Sequence, residues 1–532
     1  MNTSASSFVV TLPPPTPNGG LHVGHMSGPF LAGDVFAKAA RLRGAACFTT
    51  CYSDVNQSYV RVTAERQNRD PHELAAHWTR DIKETLLDHG VELSDYFAPD
   101  ATGSAYIRDL FVGLYERGVL KKKSFPVFYS KDTASYLDEA GVSGICPVCL
   151  AGCKCGICEA CGSLTDATNL LEPRVTVSGS TNLVVAYVEV LVLELEGLRP
   201  QIEAFYAGNQ RFRTRYLWLV EDALRTALPD FPVTLPGSWG IPIDHADFPG
   251  QTINAWPELM AELIYSYRRA LDQDSALGSS PAFVNFFGFD NSYFYALVHV
   301  ALLTQIDDGR WLPHATIINE FYNLDHAKFS TSNNHSIWSS DLAQRHNVDT
   351  IRFYGAFNAP GFEKANFNEG DMAKVVDDRL LRPWAAIASG YNAHLARSAS
   401  KGTFDVSTHA RTLGESALRR IFASYSLERF HLRQATEDLL HLLELIAVRV
   451  AALRDGQSSA DVAHLLQCFA LAASPLMPFG CAALYEALTG QTLARLDAVV
   501  PVRAHALPER LFETASVAAT EVTSTRVVAE PV

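Results

Sequence analysis

A histidine pair, His22-Val23-Gly24-His25, entered through the rigid run Pro13-Pro14-Pro15-Thr16-Pro17-Asn18-Gly19-Gly20-Leu21, restricts the fold of this chain more than any other segment. Phe8-Val9-Val10-Thr11-Leu12 reads as a short strand, the Pro/Gly run as a loop, and Met26 to Leu42 as a helix. A strand, a loop and a helix in that order aim free backbone N–H groups and the positive end of a helix dipole at an anion above the loop. Two imidazoles separated only by Val23 and Gly24 reach the same anion, and the glycine lets a flat ligand approach the backbone. ATP meets both requirements. The bland alternative is a chance turn sequence; the position between a strand and a helix argues against it.

At 532 residues the chain is too long for one core. A hydrophobic content of 48% and a charged content of 19% describe an ordinary globular enzyme. The longest apolar stretch, around Asn182 to Leu195, is broken by Glu189 and Glu194 and is too short to span a bilayer. The N-terminus lacks the basic, apolar and small-residue order of a secretory signal, so a cytoplasmic protein with no membrane partner is expected. A net charge of −14 argues against a protein that coats nucleic acid generally. It leaves room for a local basic patch, for which Lys121-Lys122-Lys123 is one candidate and a solvated charge run closing a helix the alternative.

From Phe8 to about Leu120, apolar strand-like runs alternate with amphipathic helices such as Pro71 to His89 and Ala105 to Arg117, which predicts a parallel sheet with crossover helices. Between Phe125 and Pro236 the rhythm breaks into short strands, a cysteine cluster and a helical stretch, as in an insertion. From Trp239-Gly240-Ile241-Pro242 the alternation resumes, with Phe283-Val284-Asn285-Phe286-Phe287-Gly288 a buried strand. Beyond about Asp371 the spacing becomes helical, as in Ala417 to Arg433 and Thr436 to Leu453. The last residues carry no apolar periodicity and are expected to be disordered.

Six of the ten cysteines fall between positions 146 and 161: Cys146, Cys149, Cys153, Cys155, Cys158 and Cys161. The C-x-x-C pairs Cys146/Cys149 and Cys158/Cys161 have the spacing of two zinc knuckles, which together make a closed, structural Cys₄ cage. A disulfide cluster is the alternative, disfavoured in a reducing compartment. Cys153 and Cys155 are surplus, as alternative ligands or as part of a second site.

With Lys328-Phe329-Ser330-Thr331-Ser332 late in the sheet region, these features resemble the class I aminoacyl-tRNA synthetases, whose two signatures are H-I-G-H and K-M-S-K-S. The split sheet, the knuckle followed by Leu171-Glu172-Pro173-Arg174, and the helical C-terminal region resemble the methionyl branch. The resemblance implies that His22, His25 and Lys328 stabilise the phosphates of ATP as pyrophosphate leaves, that Gly24 lies under the adenine, and that Ser330 also belongs to the ATP site. Asp54, in Cys51-Tyr52-Ser53-Asp54, matches the carboxylate that holds the substrate's amino group, though an N-cap aspartate is the plain structural alternative. Asp290, in Gly288-Phe289-Asp290, matches the residue on the ribose hydroxyls and ends a strand at the edge where open α/β sheets bind ligands. Trp256, Thr16 and Tyr295 fall at positions that surround the amino-acid side chain. Asp349-Thr350-Ile351-Arg352-Phe353-Tyr354 is similar to a D-x-x-R-Y-Y segment and is read as structural.

The chain also departs from that pattern. Thr331 replaces the second signature lysine and Asn333 the basic residue after it. A charge-stabilising donor of this kind contributes roughly 10²–10³ in rate, so activity is expected to be reduced. Pro14 and Thr16 stand where methionyl enzymes show leucine and tyrosine. Thr234 replaces an arginine before Trp239-Gly240, and Tyr295 a pocket histidine. Ala386 and Gly390 fall where the family reads the anticodon, and neither can hydrogen-bond a base edge.

The expected fold is α/β: a doubly wound parallel sheet of the Rossmann-like class I type in two halves, 1–124 and 237–370. A zinc-knuckle insertion covers 125–236, an α-helical bundle 371–515 and a disordered tail 516–532. The expected activity is ATP- and Mg²⁺-dependent formation of an aminoacyl-adenylate, with methionine as substrate, followed by transfer to tRNA; Zn²⁺ is expected on Cys146, Cys149, Cys158 and Cys161. Two alternatives stand: a paralogue that activates another amino acid or uses a non-tRNA acceptor in biosynthesis, and an inactive homologue acting as a binding module.

Overall fold

A computed structural model describes residues 7–209, 211–329, 335–397, 405–455, 457–493, 496 and 505–512. The central sheet has five strands, β1 (Ser7–Thr11), β2 (Ala46–Tyr52), β3 (Asp95–Phe97), β6 (Ala282–Gly288) and β7 (Ala315–Asn319), between which β4 (Lys121–Ser130) and β5 (Leu183–Glu194) of the insertion fall in sequence. Their spatial order is β7-β6-β1-β2-β3, and every neighbouring pair is parallel. Val9 of β1 faces Phe283 on one side and Phe48 on the other. Strands covered on both faces carry continuous apolar runs, which is why β1 and β6 are legible as strands in the sequence.

The strand order turns away from β1 in both directions, so the crevice at its C-terminal end is the ligand position of such a sheet. Four loops meet at that edge: the histidine loop after β1, Asp54 after β2, Asp290 after β6 and the Lys328 segment after β7. The expected helix from Met26 to Leu42 forms with one irregularity, a π-helical turn over Met26–Phe30 that contains Pro29 and leads into α1 (Leu31–Leu42). Proline removes an N–H and crowds the preceding turn, which accounts for the wider winding. Helix α2 (Pro71–Asp88) starts where Asp70 accepts from the backbone N–H groups of His72 and Glu73, with Pro71 in the first turn. It is followed by β3 and α3 (Ala101–Glu116).

The insertion is built on a long antiparallel ribbon, β4 (Lys121–Ser130) against β5 (Leu183–Glu194), in register from Val192↔Lys121 to Leu183↔Ser130. The lysine run therefore begins a strand and does not close a helix. Lys123 pairs with Glu194 at 2.9 Å and also with Asp230, while Lys121 and Lys122 are exposed. Helix α4 (Ala255–Gln273) packs under the site, and α5 (Val348–Phe357) leads toward the bundle α6 (Arg382–Arg397), α7 (Thr408–Ser424), α8 (Leu432–Ala452), α9 (Ala460–Ala473) and α10 (Pro478–Thr489). One expected helix, Ala417 to Arg433, is displaced: α7 ends at Ser424, and Leu427–Arg429 is a separate 3₁₀ turn.

Asp349 and Arg352 are structural in this arrangement. Arg352 donates to Asp34 Oδ2 at 2.6 Å, to the Leu476 carbonyl at 2.8 Å and to the His89 carbonyl at 3.0 Å. Asp349 accepts the backbone N–H groups of Phe479 and Gly480, which open α10. Gly390 is a packing position as well: a Cβ there would lie 2.7 Å from Val450 Cγ1, so it cannot present a base reader. No helix of the described residues is long and apolar enough to cross a membrane. The expected tail 516–532 lies outside the described residues.

Candidate active site

The two signature segments meet. The rings of His22 and His25 stack with centroids 3.7 Å apart, and Phe329, next to Lys328, stacks on the other face of His22 at 4.5 Å and 3°. The segment beyond the lysine loop is strapped to the histidine loop by Val23 N–H donating to the Ile337 carbonyl and Ser339 N–H to the Leu21 carbonyl. Gly24 suits this closure, because a Cβ there would sit in tight contact, 3.0 Å from His22 Cε1 and 3.2 Å from Phe329 Cδ2. The Lys328 backbone closes a two-residue strand, Ala327–Lys328. Its side chain, with Ser330, Thr331, Ser332 and Asn333, lies outside the described residues.

The His22 backbone N–H donates to His25 Nδ1 at 3.3 Å. That ring nitrogen is therefore an acceptor, and the His25 proton sits on Nε2. Desolvation lowers the pKa of both rings, to about 2 for half-buried His22, where repulsion from His25 adds to it, and to about 4 for His25, whose side of the loop is nevertheless exposed. Both imidazoles are thus neutral N–H donors near pH 7, suited to phosphate oxygens at a helix start.

Pro13, Pro14 and Thr16 of the same loop wall a cavity of about 140 Å³, which is also lined by Asp54, Glu139, Glu159, Trp256, Asp290 and Tyr295. Four residues expected from sequence to touch the amino acid, and the aspartate expected on the ribose, therefore share one enclosure. Asp54 accepts from Thr16 Oγ1 at 3.2 Å, and burial pushes its pKa up to about 7. The Trp256 ring lies on Phe294 with centroids 3.6 Å apart, and its Nε1–H donates to Glu139 Oε2 at 2.7 Å. Tyr295 packs on Phe287 at 4.0 Å. Asp290 folds back over the strand end, where a Cβ at Gly288 would lie 2.5 Å from its Oδ1. Thr234 is turned away from all of this: it is buried in the ribbon, where its hydroxyl donates to Gln251 Oε1 and accepts from Leu191 N–H.

Sequence reasoning missed the insertion's share of the cavity, Glu139 and Glu159. For Glu159 a signal existed, since it stands inside the second cysteine knuckle. For Glu139 there was none. The sulfurs of Cys146, Cys149, Cys158 and Cys161 all lie within 4.8 Å of one another. Cys146 Sγ is 3.8 Å from Cys161 Sγ and Cys149 Sγ is 3.5 Å from Cys158 Sγ, too far for disulfides and suited to ligands of one tetrahedral ion. Cys153 and Cys155 stand outside that set. Reduced protein is expected to carry one zinc per chain; a metal-to-protein ratio near zero by elemental analysis would remove the assignment.

The family model for class I tRNA synthetases (M) matches residues 8–389, and the chain belongs to that family. It is 28% identical to a methionine–tRNA ligase of Roseiflexus sp. (strain RS-1), over 86% of this chain and 78% of the relative. It is 25% identical to a methionine–tRNA ligase of Porphyromonas gingivalis (strain ATCC 33277), over 92% of this chain and 75% of the relative. The crystal structure of Mycobacterium tuberculosis methionyl-tRNA synthetase bound by methionyl-adenylate superposes with a TM-score of 0.76, at 16% identity, over 95% of this chain and 100% of that one. The chain is thus a methionyl-tRNA synthetase-like class I synthetase in fold: a Rossmann-like parallel sheet, a Cys₄ cluster compatible with a zinc knuckle, and a helical C-terminal region.

Proposed function

We propose that this chain is an ATP-dependent aminoacyl-tRNA ligase that joins an amino acid to ATP as an aminoacyl-adenylate and passes the acyl group to tRNA. The observation that carries this reading is the contact between the histidine loop and the lysine segment, in a loop whose earlier residues Pro13, Pro14 and Thr16 wall a carboxylate-bearing cavity. In the proposed step the amino-acid carboxylate attacks the α-phosphorus and pyrophosphate leaves. Asp54 holds the α-ammonium and Asp290 the ribose hydroxyls, while His22 and His25 donate N–H to phosphate oxygens and Lys328 adds a positive charge. Catalysis of this kind is positioning plus charge stabilisation. Mg²⁺ would accompany the nucleotide, and zinc on the four cysteines would hold the insertion. Methionine, the substrate named for the relatives, is the first amino acid to test.

Amino-acid-dependent exchange of pyrophosphate into ATP tests the reading, followed by charging of total tRNA. His25→Ala should lower the exchange rate by more than about tenfold, as loss of one transition-state donor does; an unchanged rate would take that ring out of the mechanism. A second reading, a substrate other than methionine, is favoured by the cavity itself, where Thr16 and Tyr295 stand among carboxylates.

A further inference from the structure

A second cavity, of about 160 Å³, is walled on one side by Ser27, Gly28 and Pro29, one turn past His25. On another side His431 and Arg433 bring to it the N-terminus of the 21-residue helix α8. Arg213 and Asn319 line it as well. Three buried side-chain atoms of these residues have no hydrogen-bond partner among the described residues: Arg213 Nη1, Arg433 Nε and Asn319 Oδ1.

Bracing of the fold accounts for the other atoms of each group. Arg213 Nη2 donates to the Phe430 carbonyl at 3.4 Å, and its guanidinium lies 4.2 Å over the Phe362 ring. Arg433 Nη1 donates to Glu363 Oε1 at 2.6 Å, and Asn319 Nδ2 to the Glu320 carbonyl at 2.8 Å. The atoms left over are costly, because a buried polar group that gives up water without gaining a partner loses free energy, and a charged one loses more. Gly361 keeps the approach to one of them open, since a Cβ there would lie 3.2 Å from Arg213 Nη1. The Gln434 backbone N–H donates to His431 Nδ1 at 3.2 Å, which leaves the ring proton on Nε2. Burial first, then the nearby charges of Arg213 and Arg433, lower the His431 pKa, so near pH 7 the ring is a neutral donor. The neighbouring carboxylates are already engaged, Glu363 with Arg433 and Glu320 with Arg215.

An occupant must therefore offer negative charge and acceptors to two guanidinium groups at a helix N-terminus, and one donor to Asn319 Oδ1. Ordinary organic ligands take cavities of about 300 Å³ or more, so the occupant is small. Carboxylates and sulfate bring only acceptors at neutral pH. Hydrogen phosphate brings acceptors and a proton.

We propose that this cavity binds inorganic hydrogen phosphate, held by Arg213, Arg433 and the opening of α8, with its P–OH donating to Asn319 Oδ1. Neither His22 nor His25, on which the proposed reaction places the phosphates of ATP, lines it.

The test is calorimetric titration of sodium phosphate into the full-length, zinc-loaded protein at constant ionic strength, without ATP or amino acid. One site per chain is expected, with a Kd of about 1 mM or tighter. Sulfate should bind at least about tenfold more weakly, because it turns a lone pair toward Asn319 Oδ1 where hydrogen phosphate turns a proton. Arg213→Gln should weaken phosphate at least about tenfold, and His25→Ala should leave it unchanged. Should Arg213→Gln fail to fold, Arg433→Gln, on a partly exposed side chain, reads the same loss. Absence of saturable phosphate binding overturns the inference, and so does equal affinity for sulfate. Binding that survives the arginine variants, or that is lost with His25→Ala, puts the anion on the histidine loop and overturns it too. None of these outcomes touches the adenylate-forming reading, because neither of its substrates is present.

Discussion

Asp54→Asn is expected to cut amino-acid-dependent pyrophosphate exchange by about 10²-fold or more while ATP still binds. Removing one partner of a desolvated charge pair costs about 2–5 kcal/mol. The partner proposed here is the substrate's ammonium, and the group is 5% exposed. The unmodified enzyme should show the same dependence through pH. Asp54 titrates near 7, held there first by burial against the opposing hydrogen bonds from Thr16 and Gln57, so KM for the amino acid should fall as pH rises from 6 to 8. Stability moves the other way. Between the ordinary carboxyl value and 7 the folded protein binds the proton more tightly than the unfolded chain, so Asp54 subtracts stability as pH rises through that window. Asp54→Asn should therefore melt higher than the unmodified protein at pH 8 and equally at pH 3. Equal KM values at pH 6 and 8 would show that the carboxylate does not receive the ammonium.

Cys158→Ser, or removal of metal by a chelator, is expected to abolish exchange as well, although no cysteine touches the proposed reacting atoms. The reason is local. Ile157 and Glu159 flank Cys158 in sequence and both line the cavity, so the knuckle is also its wall. Structural zinc supplies folding free energy outright to small metal-held segments, and the strands between Val142 and Val175 are two to five residues long. Loss of metal should open this segment to limited proteolysis while the parallel sheet stays resistant. Re-adding zinc should restore exchange to the chelated protein and not to the variant. Full exchange by metal-free protein would mean that the wall stands without the ion.

Much of the fold was legible because parallel strands are apolar on both faces and the helices between them carry caps such as Asp70. The histidine loop, the lysine segment and the four cysteines were legible because each needs a fixed residue type at a fixed spacing. The helical region was less so. Ile421, Phe422, Tyr425, Phe430 and Leu432 are all buried, so apolar spacing continues across a place where the backbone turns, and it carried the expected helix past its end at Ser424. The cavity's acid set was hidden for another reason. Glu139 reaches Trp256 across a long stretch of chain, and neither position announces the other.

Arg352 has further consequences for how the molecule can move. Its guanidinium reaches Asp34 on the helix that continues from His25, the carbonyl after α2, and the backbone just before α10. All of these partners are buried, and a planar cation with several donors engaged tolerates little displacement of any one of them. Arg352 therefore ties the start of α10 to the helix that continues from His25, alongside the Asp349 bonds to Phe479 and Gly480. One buried guanidinium thus makes the entry to the last helix and the helix beyond the histidine turn parts of one packed unit.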